Sequence, residues 1–138
     1  MEKGEPLDAA RARVYARGMS KLSKFITLHP DFKVHPGKLE DFKKGFPEFV
    51  ELTKKEPKNL FYEFSVNGDE VFCREGYVDA DGLLAHLNNV GPPLAQAMQI
   101  ADLVRAEVHG PAAELERLRE PLAHLKPQWF VVEEDALE

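Results

Sequence analysis

The stretch Val71 to His86, VFCREGYVDADGLLAH, reads as a strand running directly into a helix, and it constrains the fold more than any other segment. Strand alternation puts Val71, Cys73, Glu75 and Tyr77 on one face and Phe72, Arg74 and Val78 on the other. A strand that is apolar on both faces must be covered on both sides, and its glutamate, arginine, thiol and phenol must find partners inside the protein. The wall of a pocket has this composition. In the helix that follows, Asp79 or Asp81 suits the N-cap, and Ala80, Leu83, Leu84, Leu87 and Val90 form the buried stripe. At about 100° per residue, His86 falls near the margin of that stripe, within reach of the space between helix and sheet. It is a candidate base; the competing reading is a boundary histidine bonded to a carbonyl or to water.

Upstream, Phe25 to Val34 is rich in β-favouring residues but is interrupted by Pro30, which predicts an edge strand or a bulged one. From Lys38 the pattern becomes helical, with Leu39, Phe42, Phe46, Phe49, Val50 and Thr53 on one stripe. Gly45 and Pro47 inside it predict a bend or a broken turn. Leu60 to Val66 is a second strand, and Asn67-Gly68-Asp69 is a hairpin signal. Through a two-residue turn, Leu60, Tyr62, Phe64 and Val66 join Val71, Cys73, Glu75 and Tyr77 on one face. Phe61, Glu63, Ser65, Phe72 and Arg74 share the other, with Glu63 opposite Arg74 if Gly68-Asp69 is the turn. A three-residue loop would reverse this parity.

After Gly91-Pro92-Pro93, the residues Leu94, Ala97, Met98 and Ala101 predict a short helix. Leu103 to His109 alternates as a half-exposed strand, with Val104, Ala106 and Val108 on one face and Arg105, Glu107 and His109 outward, where solvation accounts for them. Gly110-Pro111 opens a further helix with Leu115, Leu118 and Leu122 inward, and Gln128 to Val132 reads as a terminal strand.

This order predicts an α+β fold: a ferredoxin-like split βαβ arrangement with an antiparallel sheet, plus a C-terminal helix and short strand. Residues 1–20 read as a mixed-charge, weakly helical extension contributing little to the core. Residues 21–138 read as one domain, with a core over 25–109 and a C-terminal extension over 110–138. Both helix layers fall on one side of the sheet, so the face bearing Phe61 and Phe72 predicts a homodimer built on that face.

With 24 acidic against 18 basic residues, the net charge of −6 disfavours nucleic acid and acidic membranes as partners. Cys73 is the single cysteine, so a reducing compartment is expected, and no apolar run reaches the length of a signal core or a membrane span. A cytoplasmic location follows as an expectation. His29, His35, His86, His109 and His124 lack the spacing of a zinc site, and neither a phosphate-binding glycine loop nor a nucleophile elbow occurs. No metal is expected.

The segments Val34-His35-Pro36-Gly37-Lys38 with Phe42, Glu56 through Phe64, Arg74-Glu75-Gly76-Tyr77 with Asp79, and Leu84-Ala85-His86-Leu87 together resemble the antibiotic biosynthesis monooxygenase domain of the dimeric α+β barrel superfamily. The Gly110 to Val132 extension looks like one shared by a subgroup of small bacterial proteins of this type. The resemblance implies an oxygenase that needs no cofactor and acts on a small phenolic or quinol substrate. Related barrels degrade haem or only bind ligands. Tyr77 stands where the family often has tryptophan, and His86 falls on the family's helical histidine. The first-strand asparagine of the haem-degrading relatives has no counterpart near His29-Pro30.

The expected site therefore comprises His86 as base and Tyr77 as hydrogen-bond donor, with Tyr62 and Glu75 binding a small aromatic molecule. Glu75 has a second, structural reading as the partner of a tyrosine hydroxyl, and Cys73 reads as a small buried hydrophobe. The alternative function is a noncatalytic dimeric ligand-binding or stress-related protein of the same fold.

Overall fold

The computed structural model describes residues 24–136, so the extension expected over residues 1–20 lies outside it. The elements are β1 (Ile26–Val34), α1 (Leu39–Lys43), α2 (Phe46–Lys54), β2 (Asn59–Asn67), β3 (Glu70–Tyr77), α3 (Ala80–Asn89), α4 (Gly91–Ala97), β4 (Ala101–Gly110), α5 (Ala112–Leu118), a 3₁₀ turn (Ala123–Leu125) and β5 (Gln128–Val131). The sheet order is β2-β3-β1-β4-β5. The first four strands pair antiparallel in the ferredoxin-like order, and β5 adds to β4 in parallel.

Two sequence expectations needed correction. Of the two readings of the strand carrying Pro30, the edge one fails, because β1 pairs with both β3 and β4, while the bulged one agrees with the register shift between Asp31 and Phe32. Proline is tolerated there because the β1–β3 register skips His29 and Pro30, resuming at Asp31↔Phe72, so no ladder bond is demanded of a residue without an N–H. The second correction concerns Val104, which is 57% exposed instead of sharing a buried face with Ala106 and Val108. The β1–β4 register shifts so that Asp31 faces Arg105 while Phe32 faces Leu103. Val104 is the extra residue of this bulge, and Leu103 takes the inward position.

The turn and helix-break chemistry follows the sequence, although Ala101 begins β4 and does not extend the helix before it. The helical pattern from Leu39 breaks at Lys44-Gly45, and Pro47 sits in the first turn of α2, where its missing N–H costs no helical bond. Asn67 pairs with Glu70, so the hairpin turn is Gly68-Asp69, with Gly68 at φ +61°. Glu63 consequently faces Arg74, and the Arg74 Nε–Glu63 Oε2 distance is 2.8 Å. Both side chains are half exposed, so the pair is worth only about 0–1 kcal/mol.

Two apolar clusters form on the helix-covered side of the sheet. Ile26, Leu28, Tyr77, Leu83 and Val108 pack with Leu115, Leu118 and Leu122, while Phe32, Val34, Val71 and Ala101 pack with Phe42. The opposite face leaves Phe61 38% and Phe72 36% exposed. On that face Glu107 bonds both Arg105 and His109, and the His109 ring stacks on Phe130 at 4.7 Å. The outward polar cluster is thus internally paired as well as solvated.

Asp31 lies on this outer face yet is only 8% exposed. Burial, then its hydrogen bond with Glu70, raises its carboxyl pKa from 3.8 to about 6. A raised folded pKa means that stability is fully present below the unfolded value and is lost as pH rises through the folded one. Asp31→Asn should therefore gain on the wild type as pH rises. The difference in melting temperature (variant minus wild type) is expected to be more positive at roughly pH 7.5 than at roughly pH 4, and a difference independent of pH would contradict this.

Candidate active site

His86 is positioned by the start of its helix. Asp79 caps α3 by accepting from the Gly82 N–H at 2.9 Å, and Glu114 of the C-terminal extension accepts from the Ala80 N–H at 2.8 Å. Two acidic acceptors at a helix N-terminus satisfy its free donors and suit its positive end. The phase set there turns His86 into the gap between α3 and the sheet, where it is 1% exposed. It is a buried residue, not one at the margin.

Both ring nitrogens of His86 meet carboxyl groups. Nδ1 donates to Glu56, at 3.1 Å from Oε1 and 2.9 Å from Oε2, while Nε2 lies 3.3 Å from Glu75 Oε1. Asn89, one turn after His86, donates to Glu56 Oε2 at 2.7 Å. The Tyr77 hydroxyl donates to Glu75 Oε1 at 2.7 Å. Glu56, His86, Glu75 and Tyr77 thus form one hydrogen-bonded chain linking the end of α2, the helix α3 and the strand β3. Tyr62 faces Glu75 across the β2–β3 ladder, with its ring 5.1 Å from that of His86.

Burial dominates the electrostatics. It raises the Glu75 pKa, against the opposing effects of His86 and of hydrogen bonds from Tyr77 and Cys73. The thiol of Cys73 and the phenols of Tyr62 and Tyr77 are also pushed up, first by burial and then by neighbours including Glu75. These three groups are neutral at physiological pH. With Glu56 placed to accept from Nδ1, Nε2 is the ring nitrogen turned toward Glu75. The cluster can accept a proton on either group or deliver one from either.

Tyr62, Cys73, Glu75 and His86 are the polar side chains along a cavity of about 120 Å³ whose other walls are carbon and sulfur, among them Leu28, Phe32, Phe42, Leu94 and Met98. Among the described residues its lining contains no lysine or arginine. Of the four expected site residues, Tyr62, Glu75 and His86 line this cavity together. Tyr77 does not line this cavity; it is fully buried, and its hydroxyl donates to Glu75. The sequence reading missed Glu56 as a site residue. The available signal was the three-residue spacing of His86 and Asn89, which puts two polar side chains on one helix face in need of a shared acceptor. Among the described residues, no group of three or more His, Cys, Asp or Glu side chains is arranged to hold a metal ion.

No family model matches the sequence, and no curated protein is similar enough to count as a match. Solved structures do match. MupZ from Pseudomonas fluorescens is 45% identical, with a TM-score of 0.80 over 83% of this chain and 94% of MupZ. A candidate antibiotic biosynthesis monooxygenase from Nitrosomonas europaea has a TM-score of 0.59 at 14% identity, covering 67% of this chain and 94% of the other. Another from Caulobacter crescentus has a TM-score of 0.55 at 19% identity, covering 67% and 92%.

The chain belongs to the same family as MupZ. Its fold is that of the antibiotic biosynthesis monooxygenase structures, and these two more distant likenesses bear on the fold alone. Within this family member, the MupZ match is longer than residues 25–109 could supply, so it extends beyond the core shared with the distant neighbours.

The hydrogen-bonded chain has a measurable energetic signature. Glu56→Leu strands the buried His86 Nδ1 and one N–H of the partly buried Asn89, whose other N–H keeps the Leu52 carbonyl, and should cost about 2–4 kcal/mol in denaturant unfolding. Glu56→Gln keeps one acceptor oxygen and should cost less than half of that. Equal losses for the two variants would mean that packing, not the hydrogen bonds, gives Glu56 its role.

Proposed function

We propose that the protein is a monooxygenase that needs no cofactor and acts on a small phenolic or quinol-type substrate, with His86 as the base. What supports this most is one juxtaposition: the His86–Glu75 proton couple sits on the wall of an otherwise apolar cavity. A cavity of about 120 Å³ is close to the roughly 150 Å³ apolar void known to admit benzene, so one aromatic ring fits. Room for a ring also favours this reading over a noncatalytic protein whose pocket is filled by its own side chains.

In this mechanism His86 Nε2 takes the phenolic proton. The resulting phenolate is electron-rich enough for a ring carbon to bond to molecular oxygen, and the protein-held proton returns to the new hydroperoxide. Loss of water then leaves a quinone-type carbonyl, so one oxygen atom enters the product and the other leaves as water. The apolar wall keeps bulk water from the anion. Tyr62 is a neutral donor beside the phenolate, and Tyr77 orients Glu75.

One observation favours a second reading. Oxygenation of a phenolate requires a base, whereas the raised Glu75 carboxyl is also suited to donate a proton. A non-oxidative reaction using Glu75 as general acid and His86 as base would use both groups.

Oxygen uptake with a panel of quinols separates these readings. The wild type is expected to consume oxygen in step with quinone formation, and His86→Ala should lower the rate by roughly 10²–10⁴-fold. Turnover of a phenolic compound without oxygen uptake would favour the acid–base reading, and an unchanged rate in His86→Ala would remove His86 from the mechanism.

We further propose that the chain is a homodimer through the sheet face bearing Phe61 and Phe72, whose exposure and paired charges of both signs suit a self-complementary contact. Light scattering at micromolar concentration should give twice the chain mass of 15.6 kDa. A folded monomer would sink this proposal.

A further inference from the structure

Two carboxyl groups face one imidazole beside the cavity. Glu56 lies 2.9 Å from His86 Nδ1 and Glu75 3.3 Å from Nε2, and the three residues are at most 8% exposed. An imidazolium offsets one of the two carboxylates, and a proton held on Glu75 in place of the ring gives the same sum. The three groups together therefore carry a charge that is negative or zero. It becomes positive only if both carboxyls are protonated beside an imidazolium. Among the described residues, no lysine or arginine on the cavity wall reverses this sign. Tyr62 and Cys73 do not reverse it either, because burial raises both pKa values and keeps them neutral.

The rest of the wall offers an anion nothing in return for its water. Its side chains, among them Phe42, Phe46, Phe64, Leu94 and Leu103, carry no hydrogen-bond donor. A cavity of about 120 Å³ holds one ring, so a substituent on that ring stays close to the cluster. A carboxylate there would lose its hydration without gaining a cation, next to carboxyl groups of its own sign. An ammonium group also loses hydration, but the carboxyl groups attract it. A phenol that arrives protonated leaves the balance unchanged: when its proton passes to Nε2 or to Glu75, the charge of ligand and cluster together is what it was before.

We propose that the Glu56–His86–Glu75 cluster sorts ligands by charge: the site admits a single-ring compound that arrives neutral, tolerates an ammonium substituent and rejects a carboxylate. The substrate is accordingly a phenol or quinol with no acidic group besides the hydroxyl whose proton it gives up. That hydroxyl rests on the phenolic reading of the site; the sorting by charge does not.

Benzyl alcohol, benzylamine and benzoate are close in size, differ in charge at neutral pH and lack a phenol, so chemical-shift titrations with them probe the sorting apart from the reaction. Benzoate should bind at least roughly thirtyfold more weakly than benzyl alcohol, and benzylamine at least roughly tenfold more tightly than benzoate. Glu75→Gln keeps a hydrogen-bonding side chain of the same shape and should narrow the benzylamine-to-benzoate ratio at least roughly fivefold. Glu56→Gln should narrow it in the same direction, and either variant suffices if the other does not fold. In oxygen uptake, hydroquinone should be turned over and 2,5-dihydroxybenzoate should not. The expected binding order without any oxygen uptake would keep the sorting and discard the phenolic oxygenase. Benzoate bound as tightly as benzyl alcohol, equal binding of benzylamine and benzoate, no binding by any of the three, or a ratio unchanged in the variants would overturn the sorting.

Discussion

The buried imidazole of His86, held between two carboxyl groups, is the interaction on which the rest of the structure depends. It joins three separately formed elements: Glu56 at the end of α2, His86 on α3 and Glu75 on β3. None of these groups tolerates burial alone. An isolated carboxylate in so apolar a setting would cost several kcal/mol, and an unpaired imidazole N–H about 1–3 kcal/mol. Each is acceptable only in company. The same mutual dependence explains why the polar groups of the cavity meet in one cluster and leave its other walls to hydrocarbon.

Much of this was legible in the sequence because it follows from parity. Once Gly68-Asp69 is the turn, strand alternation alone brings Tyr62, Cys73 and Glu75 to one face and sets Glu63 against Arg74. Helical phase then brings His86 over that face. Parity fails where a residue is inserted. Val104 has the right chemistry for the inner face, but the bulge in β4 turns it outward, and nothing in a run of alternating residues announces a bulge. Pro30 misled for a related reason: its missing donor argues for an edge, whereas here the neighbouring ladder skips two residues.

Glu56 was hidden for a different reason. A glutamate beside Pro57 at the end of a charged helix looks like solvated surface, and only the three-dimensional meeting of α2 with α3 turns it into the acceptor for His86 and Asn89. Tyr77 shows the converse. Its strand face was assigned correctly, but the side chain lies in the core behind Glu75 and not along the cavity. Periodicity gives the side of a sheet; it does not give depth within a layer.

The contact between Glu114 and the Ala80 N–H ties the C-terminal extension to the site. The helix carrying His86 begins on an acceptor from the appended segment, reinforced by the Arg117–Asp81 ion pair. The appendage is therefore not cargo carried by an independent core. Any drift in the docking of α5 shifts the first turn of α3, and a rigid helix transmits that shift to an imidazole whose two partners stand on other elements. Substitutions far from the cavity can in this way retune the proton couple without altering a single residue that touches the ligand.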